Sequence, residues 1–301
     1  MTKSRSRRIT TIIRYTVLTI WAIVAFFPIY WMISTSFKID TQWFAWPPIY
    51  VPDPPTLANY LNVWLGAQEY ASTQYAISSQ TPLASLLNST IIATTSTLLA
   101  VTFGAVIAYG VSRHQILSEA RMFQLLMLRM IPPIVVVAPL SLYYSALGLL
   151  DTMFGLILIY FLTNLPYAVW MTKSFIDEVP REIEQAAEIL GASRWRIFWE
   201  VQVPLLRPVI FLALVLRFLE AMAEFPKTWS LFQGGPGSST ETIPVYIFLT
   251  TWQYFQISKG AALSYVAMVL MVVIVLMAIQ LLRREKRALD AMYGSKPEVA
   301  S

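Results

Sequence analysis

Long apolar runs constrain this chain more than any other feature. A bilayer core about 30 Å thick takes about 20 apolar residues of helix, and runs near 9–33, 83–111, 120–147, 153–175, 209–231 and 261–282 reach that length. In hydrocarbon a backbone N–H or C=O has no water to bond, so each run must satisfy its own backbone as a helix. With 56% hydrophobic and 13% charged residues over 301 positions, the chain is too apolar for an ordinary soluble domain. The fold expected is an all-α membrane protein, a single transmembrane domain over 1–301 built as a polytopic bundle of about six transmembrane helices.

Lysine and arginine set the orientation of such a bundle. Lys3, Arg5, Arg7, Arg8 and Arg14 lead into the first run, and Arg113 and Arg121 follow the second. Lys173, Arg181, Arg194, Arg196 and Arg207 fall in the loop after the fourth run, and Arg283, Arg284, Lys286 and Arg287 follow the last. The alternate segments hold only Lys38, Lys227 and Lys259. Both termini are therefore expected in the cytoplasm, with 37–81 and 232–259 outside. A net charge of +5 and a pI near 9.3 come largely from these flanks, which favours membrane topology over nucleic-acid binding. The first run, roughly 25 residues, is longer than the core of a signal peptide and reads as a retained span. Absence of cysteine excludes disulfide staples and thiol chemistry.

The loops differ in character. In the external loop 37–81, Pro47, Pro48, Pro52, Pro54 and Pro55 rule out a regular helix, while Trp43, Trp46 and Tyr50 suit a membrane interface. It is either an ordered cap or a contact for an external partner. The QGGPGSSTETI stretch after Phe232 lacks the lysine of a phosphate-binding loop and reads as a flexible turn or partner contact.

The cytoplasmic loop 177–207 is the most polar insert. Pro180 can open a helix, Glu182 and Glu184 suit its positive end, and Ile183, Ala186, Ala187 and Leu190 make one apolar, small-residue stripe. Gly191 ends it. Ser193 can cap a second short helix in which Trp195, Phe198, Trp199 and Gln202 share a face suited to the inner interface. Pro204 and Pro208 bend the chain into the fifth run. Helix, glycine elbow, helix makes a peg for a cytoplasmic partner.

The run EQAAEILGASRWRIFWEVQVPLLRP resembles the EAA-loop signature of the membrane subunits of binding-protein-dependent ABC importers. FFPIYWMISTSFK, MIPPIVVVAPLSLYY and LPYAVWMTKSFIDEVPREIE are similar to the carbohydrate-uptake, maltose-permease branch, so the resemblance covers nearly the whole chain. Gln185 stands where the motif has glutamate, Leu190 where an acidic residue is common, and GGPGSSTET looks like the partner-type permease. The resemblance implies a transport subunit, not an enzyme, in a bacterial or archaeal cell membrane, the inner one in a Gram-negative cell. It implies a second permease as heterodimer partner, two cytoplasmic ATPase subunits and an external solute-binding protein. ATP and Mg would sit on the ATPases, with no cofactor bound by this chain. Glu184, Gln185, Ala186, Ala187, Glu188, Leu190, Gly191 and Ala192 would form the ATPase-coupling element.

Polar residues at membrane depth are the other informative set. Pro132, Pro133 and Pro139 are expected to break or kink the third run and Pro166 the fourth, and freed carbonyls there need protein or a wet cavity. Arg129 lies beside the break, Asn164 in the fourth run, and Arg217, Glu220 and Glu224 follow at spacings of three and four on the fifth. A charge at such depth costs about 2.5–3.5 kcal/mol on insertion scales. Two readings stay open: a structural Arg217–Glu220 pair with a snorkelling Arg129, or a substrate path of Arg129, Asn164, Glu220 and Glu224. The solute is expected to be a sugar or sugar derivative. An anionic sugar or a glycerol-phosphate-like solute would suit Arg129, but neutral oligosaccharides and polyols suit arginine, asparagine and aromatics equally, so the charge of the solute stays open with neutral sugars favoured. An ion-coupled secondary transporter would use Glu220 and Glu224, yet paired repeats are not evident. His114 is the single histidine, leaving no common metal site.

Overall fold

Proline positions decide which apolar runs become continuous helices. The computed structural model describes residues 2–64, 81–127 and 130–293, and within them the regular structure is helical. Four helices are long and apolar enough to cross a membrane, over Thr10–Ser36, Pro82–His114, Met153–Glu178 and Ile257–Arg284. These match the first, second, fourth and sixth expected spans. Pro166 stays inside its helix without ending it.

The third expected span is broken at the prolines that predicted a break, and the fifth needs correction. The third run is divided into Glu119–Met127 and Pro133–Ala146, because Pro132 takes an extended backbone (ψ 132°) and Pro133 opens a new helix. The fifth begins earlier and ends earlier than expected, over Val203–Met222. Pro226 cannot supply an N–H to continue it and instead starts Pro226–Phe232.

The chain divides into two compact units, one of Met1–Pro82 with Ile247–Val269 and one of Leu83–Tyr246 with Leu270–Ser301. In the first, α1 (Thr2–Ser36) is exposed all along residues 10–30, as expected of a helix faced by lipid or another chain. After it, the proline-rich segment folds back as an ordered cap. Tyr30 Oη and Ser34 Oγ both donate to the Tyr50 carbonyl, at 3.0 and 2.5 Å, and Gln42 Nε2 donates to the Asp53 carbonyl at 2.6 Å. Asn59, on α2 (Ala58–Trp64), donates to the carbonyls of Ser36 and Lys38, both at 2.9 Å. Lys38 is buried with its Nζ 3.9 Å from the centre of the Trp31 ring, and burial lowers its pKa. Residues 65–80 of the expected external loop lie outside the described residues.

The second unit holds α3 (Pro82–His114), α4 (Glu119–Met127), α5 (Pro133–Ala146), α6 (Met153–Glu178), α7 (Arg181–Ile189), α8 (Val203–Met222) and α9 (Pro226–Phe232). Gly104 lets α3 approach α6 so closely that a Cβ there would lie 2.9 Å from the Ala168 Cβ, the small-residue contact by which helices pack in lipid. One apolar cluster gathers Ile92, Leu156, Tyr160, Met222 and Phe232. A second gathers Ala108, Val111, Met122, Val169, Ile176 and Leu206. Along α3 they lie toward opposite ends, and at 1.5 Å per residue Ser85 and Arg113 are about 42 Å apart. Ser85 meets the loop before Ile243, whereas Arg113 meets the insert that carries α7. The 232–242 loop and the 177–207 loop therefore sit at opposite ends of this unit, as the charge pattern requires.

Candidate functional site

The insert folds as a helix, a glycine turn and a second helical stretch. Pro180 precedes α7, with Glu182 and Glu184 in its first turn, where the helix dipole favours carboxylates. At the other end Gly191 takes φ +83°, and the Ala192 N–H reaches back to the Ala187 carbonyl at 3.0 Å, a left-handed stop that glycine makes without strain. Ser193 caps the next turn by accepting from the Arg196 N–H at 3.3 Å.

The residues expected to couple to an ATPase divide into two faces. Gln185, Ala186, Glu188, Leu190 and Gly191 are exposed, while Ala187 and Ala192 are half-buried. Ile189 and Leu190 are 86% and 87% exposed, two adjacent aliphatic side chains at the tip of a polar loop. Glu184 turns the other way. Its Oε1 accepts from Arg113 Nε and from Gln202 Nε2, each at 2.5 Å, and its Oε2 accepts from Tyr109 Oη at 3.3 Å. Arg113 Nη2 also donates to the Val179 carbonyl at 2.8 Å. Beside this cluster Asp177 bonds Ser112 and pairs with Lys173 at 2.6 Å. The sequence marked Arg113 and Lys173 only as inner-side charges and gave Tyr109 and Ser112 no role. A polar residue one helical turn before the basic end of a span was the available signal.

The second half of the peg departs from expectation. Arg194–Arg196 passes into a π-helix over Ile197–Gln202, and although Trp195, Phe198 and Trp199 stay in mutual ring contact, they differ in exposure. Phe198 and Gln202 are buried, whereas Trp195 and Trp199 are exposed and stack on each other with centroids 6.4 Å apart. A strict 3.6-residue period cannot anticipate a π turn.

The membrane-depth residues do not form one face. Arg129 lies outside the described residues. Asn164 is buried on α6. Arg217 is buried on α8, donates to Glu220 Oε1 at 2.6 Å and lies 3.9 Å from the Tyr167 ring centre. Glu224 lies beyond the end of α8 and pairs with Lys227, so it does not share a helical face with Glu220. Tyr160 joins this region from α6, its hydroxyl 3.1 Å from the Glu224 carbonyl and 2.7 Å from Thr228 Oγ1.

The glycine loop is not an open turn either. Its Glu241 is buried, accepts from Ser85 Oγ at 3.2 Å and offers its carbonyl to Asn88 Nδ2 at 3.2 Å. Ser89 Oγ then accepts from the Ile243 N–H at 2.8 Å. Positive φ at Gln233, Gly234, Gly235, Gly237 and Ser238 folds the loop back onto α3. Among the described residues, no group of three acidic or histidine side chains is placed to hold a metal.

Residues 100–286, from mid-α3 through the peg, match the family described as binding-protein-dependent transport system inner membrane component. The chain belongs to this family. Among its relatives, the sulfoquinovosyl glycerol transport system permease protein SmoH of Agrobacterium fabrum is 32% identical over 238 residues, covering 79% of this chain and 78% of that one. The trehalose/maltose transport system permease protein MalG of Thermococcus litoralis is 30% identical over 263 residues, covering 79% and 90%. The fold is shared with a bacterial ABC transporter involved in import of the acidic polysaccharide alginate, at TM-score 0.69 and 17% identity over 93% of this chain and 97% of that one.

Proposed function

We propose that this permease forms, with a second and related permease, the ATP-driven path of an importer for a sugar or sugar derivative delivered by an external solute-binding protein. Two ATPase subunits would bind ATP and Mg and seat on the pegs, leaving this chain no hydrolytic role. The exposed Ile189–Leu190 pair carries the proposal. Two aliphatic side chains at the tip of a charged loop have no use in water, but fill a cleft in a partner. The names of the relatives support a carbohydrate solute. Both termini and the 177–207 loop would face the cytoplasm of a bacterial or archaeal cell. Asn164, Glu220 and Glu224, together with Arg129, would line or brace the solute path.

The test is co-expression with the ATPase and partner permease. Ile189→Asp with Leu190→Asp should abolish co-purification of the ATPase and sugar uptake while the variant still inserts in the membrane. Unchanged ATPase recovery and uptake would refute the docking role.

A further inference from the structure

The docking helix has no packing of its own to hold it. None of the nine residues of α7 is buried, and a helix that short is marginal in water without tertiary support. Its tie to the bundle is polar. The Glu184 side chain is 12% exposed and the Arg113 side chain 6% exposed, so the pair sits where a charge left alone is strongly penalised. Three donors converge on the one carboxylate, Arg113 and Tyr109 from the inner end of α3 and Gln202 from the turn that runs into α8. Arg113 uses a second nitrogen on the Val179 carbonyl, fixing the chain just before the helix begins. Arg181 adds a longer contact to the Ser112 carbonyl at 3.4 Å.

We propose that Glu184 is a positioning residue, the pin through which a push on α7 moves α3 and α8 as one body. The inference rests on the coupling role proposed above and assigns Glu184 to transmission instead of to the ATPase contact surface. The geometry supports this division: the carboxylate faces inward while Gln185, Glu188, Ile189 and Leu190 face out. Bonds to a charged group are shorter and stiffer than neutral ones. Removing the carboxylate would leave the docking face intact but let it tilt without carrying the spans along.

The experiment uses the complete complex in lipid nanodiscs with its binding protein. Glu184→Ala should retain ATPase subunits at wild-type stoichiometry, yet lower the stimulation of ATP hydrolysis by loaded binding protein by about tenfold, the order of an ordinary coupling free energy between sites. Arg113→Glu should do the same. The exchanged pair, Arg113→Glu with Glu184→Arg, should recover part of the stimulation, because a tyrosine hydroxyl and a glutamine amide can reverse donor and acceptor roles while a glutamate at 113 cannot donate to the Val179 carbonyl. A second readout needs no partner. With spin labels at Gln185→Cys and Ser118→Cys in the otherwise cysteine-free permease, Glu184→Ala should broaden the distance distribution.

Wild-type stimulation in Glu184→Ala would overturn the pin, as would an exchanged pair no better than either single variant. Loss of stimulation in strict proportion to loss of bound ATPase would also overturn it, making the residue one of assembly only. A wild-type complex that neither holds an ATPase nor responds to binding protein would instead refute the proposed function, whatever the spin labels show.

Discussion

Gly191 offers a quantitative test of the peg. Its φ of +83° lies in the left-handed region, and a Cβ built there meets nothing within 4 Å. Substitution therefore carries a backbone cost without a steric one. Alanine should lose about 1–2 kcal/mol relative to glycine in this conformation, which corresponds to a factor of roughly 5–30 in the population of the correct turn. Asparagine tolerates the region better and should fall between. Proline is worse on two counts: its ring demands a φ near −65°, and it deletes the N–H that reaches the Glu188 carbonyl at 2.9 Å. The apparent affinity for the ATPase, measured by titration in nanodiscs, should therefore fall in the order Gly, Asn, Ala, Pro. Hydrogen exchange of amides 181–193 should rise in the same order. Gly148→Ala is the control, since that glycine has φ +66° and equally open surroundings but lies in the turn before α6. It should cost comparable local stability and leave ATPase affinity unchanged. Equal affinities for Gly191, Asn and Ala would show that the left-handed turn does not position the docking face.

Gly155→Ala should fail outright, because its Cβ would lie 2.1 Å from the Leu149 carbonyl oxygen. A large drop in melting temperature is expected, against a much smaller one for Gly148→Ala. Glu241→Leu should loosen the 232–242 loop by leaving Ser85 without its carboxylate partner, visible as faster proteolysis there with the ATPase still bound; unchanged proteolysis would refute the anchoring role. For topology, Ser239→Cys should be labelled from outside intact cells and Arg194→Cys only after permeabilisation, both positions being exposed. The reverse pattern would invert the orientation.

Much of this architecture was legible because hydropathy and helical structure are local properties. The four long spans, the stop at Gly191 and the cap at Ser193 each follow from residues within a few positions of the feature. What escaped depends on partners far apart in sequence. Glu184 reads as one more acidic residue in a helix's first turn until α3 brings Arg113 and Tyr109 to it. Glu241 likewise looks solvent-facing until Ser85 and Asn88 arrive from a helix more than a hundred residues earlier. The misplaced ends of the fifth span have a different cause. The apolar run resumes after Pro226, whereas the helical hydrogen-bond ladder is interrupted there. Assuming one period also hid the π turn at Ile197–Gln202.

Because α7 contributes no side chain to either apolar cluster, its outward sequence is free of the volume constraints that bind the rest of the bundle. Residues 185–190 can drift in step with whichever motor subunit they meet, provided the inward carboxylate survives. A single scaffold could thus change motors by exchanging a few surface positions. Transplanting that hexapeptide from a distant relative, with Glu184 and Gly191 left in place, should redirect which ATPase the permease recruits without altering how the membrane bundle folds.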